Sequence, residues 1–218
     1  MKVDIKKALT YPFSDEKWIV KLIIGGLISL VPVLNFLSFG YIMRILKETS
    51  EGKEPKLPEW GDWENLFKEG AFGFLILLAY GIAMGILFIF VGIFCNIPFI
   101  GFFFKLIYYV LNILMIFLFP AWTMLSLIKY MSSKKIGDAF DFKYNYEKIA
   151  NNINEYGIAI FVIGFIGSAI SMLCCLVIPL FYAQLFITAA YGELYYITEK
   201  RDNSEKKEKK EFNTTKED

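Results

Sequence analysis

The charged residues of this 218-residue chain are confined to a few segments, and this confinement limits the fold more than any other feature. Three long apolar blocks cover residues 19–46, 71–128 and 157–198, and charged stretches separate and flank them. An uncharged turn that contains proline interrupts each block, at residues 31–35, 95–99 and 175–179. Of the 23 lysines and arginines, only Lys105 lies beside such a turn. The pattern predicts three helical hairpins that enter a lipid bilayer from one side.

The apolar blocks are long enough to form membrane helices. An α-helix needs about 20 apolar residues to cross the ~30 Å hydrocarbon core of a bilayer. Residues 71–94, 102–128 and 157–178 meet that length, and residues 180–198 nearly meet it. A soluble domain of this size has no need for such runs. We therefore predict an all-α integral membrane protein with about six membrane helices, which has the lipid bilayer as its partner.

The basic residues predict the orientation of the chain. Short loops rich in lysine and arginine stay in the cytoplasm. Both termini and both loops between the blocks are therefore expected to be cytoplasmic. The first apolar run begins at Trp18 and no small-residue cleavage site follows it, so we expect no cleavable signal. The net charge of +1 predicts no nucleic-acid partner.

The first apolar block is too short for two ordinary spans, because Lys21 and Arg44 bracket only residues 22–43 and Pro32 divides them. The block could form a short or re-entrant hairpin, with Lys21 and Arg44 reaching the same surface. The alternative is one kinked span, which would place the lysines of residues 2–7 outside. The kinked span breaks the charge rule, so the hairpin is favoured.

The chain is organised as one polytopic domain, residues 1–199, followed by a tail. Its three units cover about 1–50, 56–135 and 136–199, and each opens with an amphipathic aromatic segment. These segments predict amphipathic cytoplasmic helices, which lie in the headgroup layer or extend the membrane helices into the cytosol. Residues 200–218 are charged and have no apolar period, so we expect a disordered cytoplasmic tail.

Small residues and tryptophans predict two kinds of contact. Small residues four apart let helix backbones approach closely in a bilayer, and such pairs recur in all three inward legs. The pairs are Gly25 and Ser29, Gly81 and Gly85, and Gly164 and Ser168. Tryptophan prefers the membrane–water boundary. We assign the cytoplasmic boundary to Trp18, Trp60, Trp63 and Trp122. The expected result is a compact bundle with the inward legs at its centre.

Five polar or charged side chains lie within or beside the predicted spans: Arg44, Lys105, Asn112, Gln184 and Glu193. Lys105 follows the second turn closely, so we expect it to anchor in the outer headgroups rather than to bind an ion. Arg44 and Glu193 lie at a similar depth, and they either pair across the bundle or each mark the headgroup boundary. Asn112 and Gln184 need partners inside the bundle, either as hydrogen bonds between helices or along a polar path.

No catalytic, cofactor or metal site is predicted. The chain has no histidine, which removes the commonest general base and metal ligand. Its three cysteines, Cys95, Cys174 and Cys175, lie near the predicted outer turns. They are expected to be small buried apolar side chains, and a disulfide between Cys95 and one of the other two is the alternative.

Several motifs together resemble one family. They are Tyr11-Pro12-Phe13 through Asp15 and Trp18, the run of residues 21–26, Pro32-x-x-Asn35, Gly40-Tyr41, Leu57-Pro58-Glu59-Trp60-x-Asp62-Trp63, and Gly137-Asp138-Ala139-Phe140. With them the chain resembles the uncharacterised prokaryotic membrane family called domain of unknown function 4013, over most of residues 4–197. The resemblance implies a multi-pass protein in the cell membrane of an archaeon or bacterium. It implies no activity, substrate or catalytic residue.

Two classes of function fit these observations. The first is a non-catalytic membrane component, such as a scaffold, an assembly factor or a subunit that binds a membrane-protein partner or a second copy of itself. The second is a transporter or channel for a small or lipophilic solute, because a short broken hairpin within repeated units is a feature of transporters. The spans offer few polar groups to coordinate a solute, so the first class is favoured, and we do not expect an enzyme.

Overall fold

The structure, a computed structural model, contains helices joined by turns and loops, and no strand, in the residues it describes. It describes the backbone of residues 3–172 and 177–217, and the side chains of those ranges except 116, 117, 168, 171, 172, 177 and 208–217. The α-helices are α1 (Ile5–Thr10), α2 (Trp18–Ser29), α3 (Asn35–Ser50), α4 (Trp63–Phe94), α5 (Gly101–Ser133), α6 (Phe142–Asn151), α7 (Ile153–Met172) and α8 (Val177–Glu217). Two 3₁₀ helices cover Tyr11–Ser14 and Ile136–Phe140. The prediction of an all-α fold is confirmed.

Capping side chains set the boundaries of the shorter helices. Asp4 accepts a hydrogen bond from the backbone N–H of Lys7 (2.9 Å) at the start of α1. Asp141 accepts one from the backbone N–H of Tyr144 (3.0 Å) at the start of α6. α5 ends before Lys134, whose backbone is left-handed (φ 57°). These caps separate the short polar helices from the long apolar ones.

Helix α3 lies at the centre of the fold, where it packs against α4 and α8. Glycines permit the contact with α4. A Cβ atom on Gly40 would overlap the carbonyl oxygen of Leu66, and one on Gly70 would overlap that of Phe36. The expectation that the inward legs occupy the centre is therefore wrong, because the closest backbone contact uses the return leg of the first block.

One predicted membrane segment contains a bend, and a second bend lies just before another. Within α5, residues 101–115 and 118–133 meet at 47°, close to Pro120, which removes a helical hydrogen bond. α6 and α7 meet at 91°. By length and composition, α4 alone is long and apolar enough to cross a membrane, and the described residues hold up to three such segments if each bent pair is one span. α2 is apolar but has only 12 residues.

The two ends of the bundle have different surfaces. The ion pairs among the described side chains join residues near both ends of the sequence with the two charged loops, and we call the end that carries them the polar end. Residues 81–115 and 157–166 form what we call the apolar half. Large apolar side chains are exposed there, and Phe99 in the turn between α4 and α5 is 97% exposed.

Helix α8 continues through the segment predicted to be a disordered tail. Its backbone is helical to Glu217, which corrects that expectation for residues 200–217. Lysine and glutamate favour helix, and extending an existing helix avoids the cost of nucleation. Arg201 also binds Glu155 of α7, which holds the start of the extension against the bundle.

Candidate functional site: a polar end and an apolar groove

A buried lysine joins three segments at the polar end. Lys21 of α2 is 4% exposed, and its ammonium group donates to Asp15 (2.6 Å), to Glu59 (2.7 Å) and to the carbonyl oxygen of Leu57 (3.1 Å). Each ammonium proton therefore has an acceptor, which offsets the desolvation of the charge. The hydrogen bond from Lys21 holds the pKa of Asp15 below its ordinary value.

Residues 57–63 close over this lysine. The indole N–H of Trp60 donates to the carbonyl oxygen of Lys21 (3.2 Å), and its ring stacks on Tyr41 with 4.2 Å between centroids. The hydroxyl of Tyr41 in turn donates to the carbonyl oxygen of Pro58 (2.9 Å). Pro58 and Trp60 therefore fix the loop of residues 57–63 onto α2 and α3.

Arg44 connects α3 to the start of α4. Its guanidinium donates to Asp62 (2.7 Å) and to Glu69 (3.2 Å), and Lys134 also donates to Glu69 (2.6 Å). The hydrogen bond from Arg44 lowers the pKa of Asp62. The alternative in which Arg44 pairs with Glu193 is therefore wrong, because α4 brings two other carboxylates to the guanidinium.

Glu193 of α8 faces the N-terminal segment instead. Its carboxylate accepts a hydrogen bond from the backbone N–H of Asp4 (3.3 Å). It lines a crevice of about 150 Å³ together with Lys7 and Thr49. Lys7 pairs with Glu54 at 2.9 Å. The crevice thus holds charges of both signs, of which Lys7 and Glu54 pair with each other.

A second buried lysine fixes α6 against α8. The side chain of Lys148 is 3% exposed and contacts the carboxylates of Glu199 (2.7 Å) and Asp202 (2.8 Å). Its ammonium group also lies 5.3 Å from the centre of the Tyr195 ring. Because Glu199 and Asp202 lie on either side of residue 200, where the predicted tail begins, these contacts hold the start of that tail against α6.

Polar side chains are also buried between α4, α5 and α6. The Tyr80 hydroxyl donates to the carbonyl oxygen of Ala139 (2.8 Å) and shares a hydrogen bond with Ser126 (3.0 Å). Ser126 accepts a hydrogen bond from the amide of Asn145 (2.8 Å), whose Oδ1 atom has no hydrogen-bond partner among the described residues. The cluster sets the relative positions of three helices.

An apolar groove of about 290 Å³ lies beside this cluster, between α4, α5 and the start of α6. Its walls include Tyr80, Met84, Leu111, Leu114, Trp122 and Phe142. Almost no polar atom reaches its surface. Such a lining suits a hydrocarbon chain and offers no group to coordinate an ion or a polar solute.

The other predicted polar positions do not converge. Lys105 is exposed near the start of α5. Asn112 donates to the carbonyl oxygen of Tyr108 in its own helix (2.8 Å), so its predicted partner on another helix is not the one observed. Gln184 is exposed on α8. Together with Glu193 at the polar end, these residues occupy separate surroundings and do not line one polar path.

The predicted small-residue pairs differ in their surroundings. A Cβ atom on Gly25 would overlap the Phe181 ring of α8, and Ser29 donates to the carbonyl oxygen of Gly25 (2.7 Å).

At three of the predicted positions a Cβ atom would meet nothing within 4 Å. These are Gly81, Gly85 and Gly164. Their predicted role in helix packing is wrong within the described part of the chain, because no neighbouring helix reaches them. The side chain of Ser168 lies outside the described residues.

The four tryptophans take part in contacts at or near the polar end. Trp18 lies edge-on to Phe13 (4.8 Å between centroids), and Trp63 stacks beside Trp60 (5.8 Å). Trp122 lines the apolar groove. Their role as anchors at a membrane boundary stays a prediction.

Of the three cysteines, only Cys95 lies in the part of the chain that the structure describes. Cys95 is partly buried. Cys174 and Cys175 lie outside the described residues, and with them the disulfide alternative. Over the ranges with described side chains, no group of three or more histidine, cysteine, aspartate or glutamate residues is placed to hold a metal ion.

The sequence pattern did not identify Lys21 or Lys148 as buried, and the expectation that Lys21 reaches a surface beside Arg44 is corrected by its burial. For Lys21 a signal was available, because apolar residues surround it and Asp15 precedes it by less than two helical turns. For Lys148 the partners lie more than 50 residues later in the chain, so no local pattern reveals them.

Comparison with known proteins agrees with the motifs described above. Residues 24–190 match the family described as Protein of unknown function (DUF4013). No curated protein and no solved structure matches the sequence. The matched range contains the Leu57–Trp63 loop that covers Lys21, and it begins after the aromatic segment at residues 11–18. The chain therefore belongs to the DUF4013 family.

Proposed function

We propose that this chain is a multi-pass integral membrane protein that acts without catalysis, as a scaffold, an assembly factor or a partner-binding subunit. In this proposal α2 and α3, α4 and α5, and α7 and α8 form three hairpins, of which the first is short or re-entrant. The polar end and both termini face the cytoplasm. The observation that carries the proposal is the division of the surface into an ion-paired end and an exposed apolar half.

The exposed apolar surface supports the membrane setting. In α4, the exposed side chains include Ile82, Ile86, Ile89, Phe90 and Ile93. Contiguous apolar surface of this kind marks contact with a membrane or with another protein. A bilayer accommodates it without hydration, and helices satisfy their own backbone hydrogen bonds at that depth.

The polar end supports a scaffold. Its ion pairs connect parts of the chain that are distant in sequence, as Glu69 with Lys134 and Glu155 with Arg201 show. Such links between units favour one fixed arrangement over large relative movement. The dispersal of Asn112, Gln184 and Glu193 likewise favours a structural role over transport of a polar solute.

The topology is tested by labelling single cysteines with a maleimide that cannot cross membranes. The native cysteines Cys95, Cys174 and Cys175 are replaced by serine, and Phe99→Cys or Ser204→Cys is then introduced; both side chains are exposed. We expect Phe99→Cys to react from outside intact cells and Ser204→Cys to react only after the cells are opened. Carbonate-washed membranes should retain both variants.

Two outcomes would contradict the proposal. Release of the chain from carbonate-washed membranes would exclude an integral membrane protein. Labelling of Ser204→Cys from outside would exclude a cytoplasmic polar end. A scaffold role further predicts a stable complex in mild detergent, so a purified chain that stays monomeric and without bound protein would contradict that part.

A second candidate function, transport of a lipophilic solute, has the apolar groove in its favour. The groove is open, and its walls come from the two long helices α4 and α5 and the start of α6. The test is uptake of a lipophilic dye by liposomes that contain the purified chain. Met84→Trp would fill the groove, so transport through it should stop in this variant. Equal uptake by empty liposomes would contradict transport.

A further inference from the structure

We infer that the ends of α4 and α5 that lie farthest from the polar end form a binding site for a phospholipid. A groove of about 450 Å³ lies between them. Phe88, Ile89 and Gly92 line it from α4, and Lys105, Tyr108 and Tyr109 line it from α5. The inference rests on the proposed membrane setting, in which this groove opens at the outer leaflet.

The charge of Lys105 needs a counter-ion from outside the chain. No aspartate or glutamate occurs in residues 17–47, 70–137 or 156–192. All carboxylate side chains therefore belong to the segments that build the polar end and the tail. A lysine at the opposite end of the bundle consequently has no acidic side chain of its own chain within the same half. The phosphate of a lipid headgroup supplies the missing negative charge.

The other side chains of the groove fit the remaining parts of a phospholipid. Tyr109 is largely exposed, and its hydroxyl is available to donate to a phosphate oxygen. Phe88 and Tyr108 meet edge to face, with 5.5 Å between ring centroids, and form an apolar wall. A Cβ atom on Gly92 would meet nothing within 4 Å, so an acyl chain has room beside α4. A free anion would use Lys105 but would gain nothing from the apolar wall.

The test is native mass spectrometry of the full chain released from nanodiscs, with phosphatidylglycerol as the probe and diacylglycerol as the comparator without phosphate. We expect the wild-type chain to retain phosphatidylglycerol preferentially. Lys105→Gln should weaken this retention about tenfold, because a charge-assisted hydrogen bond is lost. Gly92→Leu, which fills the groove and leaves the charge, should weaken it as well. The matched control is Lys143→Gln, since Lys143 is an exposed lysine of the polar end and its loss should change nothing.

Three results would overturn the inference. Retention by Lys105→Gln equal to that of the wild type would show that the lysine does not hold the headgroup. Full competition by inorganic phosphate would show a site for a free anion. A second copy of the chain that occupies the groove in place of lipid would show a protein interface. Failure of the membrane proposal is seen separately, because the wild-type chain would then leave carbonate-washed membranes.

Discussion

One face of the first half of α4 is buried against protein, whereas the second half is exposed over most of its surface. In the first half, Leu66 and Ile76 are buried and Gly70 lies against the backbone of α3. In the second half, Ile86 and Ile89 are exposed, although the residue types are as apolar as before. One continuous helix of 32 residues thus passes from a protein core to an open apolar surface.

The difference follows from the length of the neighbouring helices. α3 has 16 residues and spans about 24 Å, whereas α4 has 32 residues and spans about 48 Å. The short first pair of helices therefore supports only part of α4. Beyond its end, the apolar side chains of α4 and α5 are exposed, and the proposed function places lipid or a partner there. Two predictions test this contrast, and a third tests the ionic contacts of the polar end.

The largest effect is expected from truncating a buried isoleucine in the first half of α4. Ile76 is 1% exposed and packs with Met43 and Tyr80, so Ile76→Ala should lower the free energy of unfolding by about 3 kcal/mol. Ile86 is 64% exposed, so Ile86→Ala should lower it by less than about 0.5 kcal/mol. Unfolding by sodium dodecyl sulfate in mixed micelles, followed by circular dichroism, measures both. Equal losses would show that the second half is also buried against protein.

An intermediate effect is expected where backbones cross. Gly70→Ala places a methyl group against the carbonyl oxygen of Phe36 and should destabilise the protein by about 2 kcal/mol. Gly81→Ala is the matched control in the same helix. Because a Cβ atom there meets nothing, alanine should stabilise the helix by about 0.5–1 kcal/mol. The same unfolding assay detects the opposite signs, and destabilisation by both variants would contradict the contrast.

The smallest effect concerns the ionic contacts of the polar end. The pKa of Asp15 is lowered from 3.8 in the folded chain, chiefly by the hydrogen bond from Lys21. Its stabilisation is therefore present above pH 3.8 and is lost as the pH falls through the lower folded value. Between pH 6 and pH 3 the wild type should therefore lose more stability than Asp15→Asn does, by an amount on the order of 1 kcal/mol. Glu64→Gln, at an exposed pair, is the control, and an unchanged pH dependence in Asp15→Asn would contradict the prediction.

The sequence predicts the elements of this fold better than their contacts. The apolar blocks and the proline turns place the breaks near residues 31–35 and 95–99, where the helices do end. Pairs of small residues are a weaker guide, because Gly81 and Gly85 have the same spacing as a packing motif but no helix beside them. The glycines that allow α3 and α4 to pack closely, Gly40 and Gly70, lie on different helices, so no spacing in the sequence identifies them.

The predicted ionic partners illustrate the same limit. The sequence places Arg44 and Glu193 at a similar depth in the predicted membrane, which allowed the two side chains to pair. Depth does not tell toward which neighbouring helix a side chain points. Helix packing turned Arg44 toward Asp62 and Glu69. It also enclosed Lys148, which the sequence places on an ordinary amphipathic helix.

The sequence by itself determined that the chain is helical, apolar over three blocks and charged between them, because side-chain hydration and helix periodicity are local properties. The tertiary structure alone decided which helix lies at the centre, which lysines are buried and which glycines meet another backbone. These features depend on how helices are rotated and placed against one another, and residues far apart in the chain set that arrangement together.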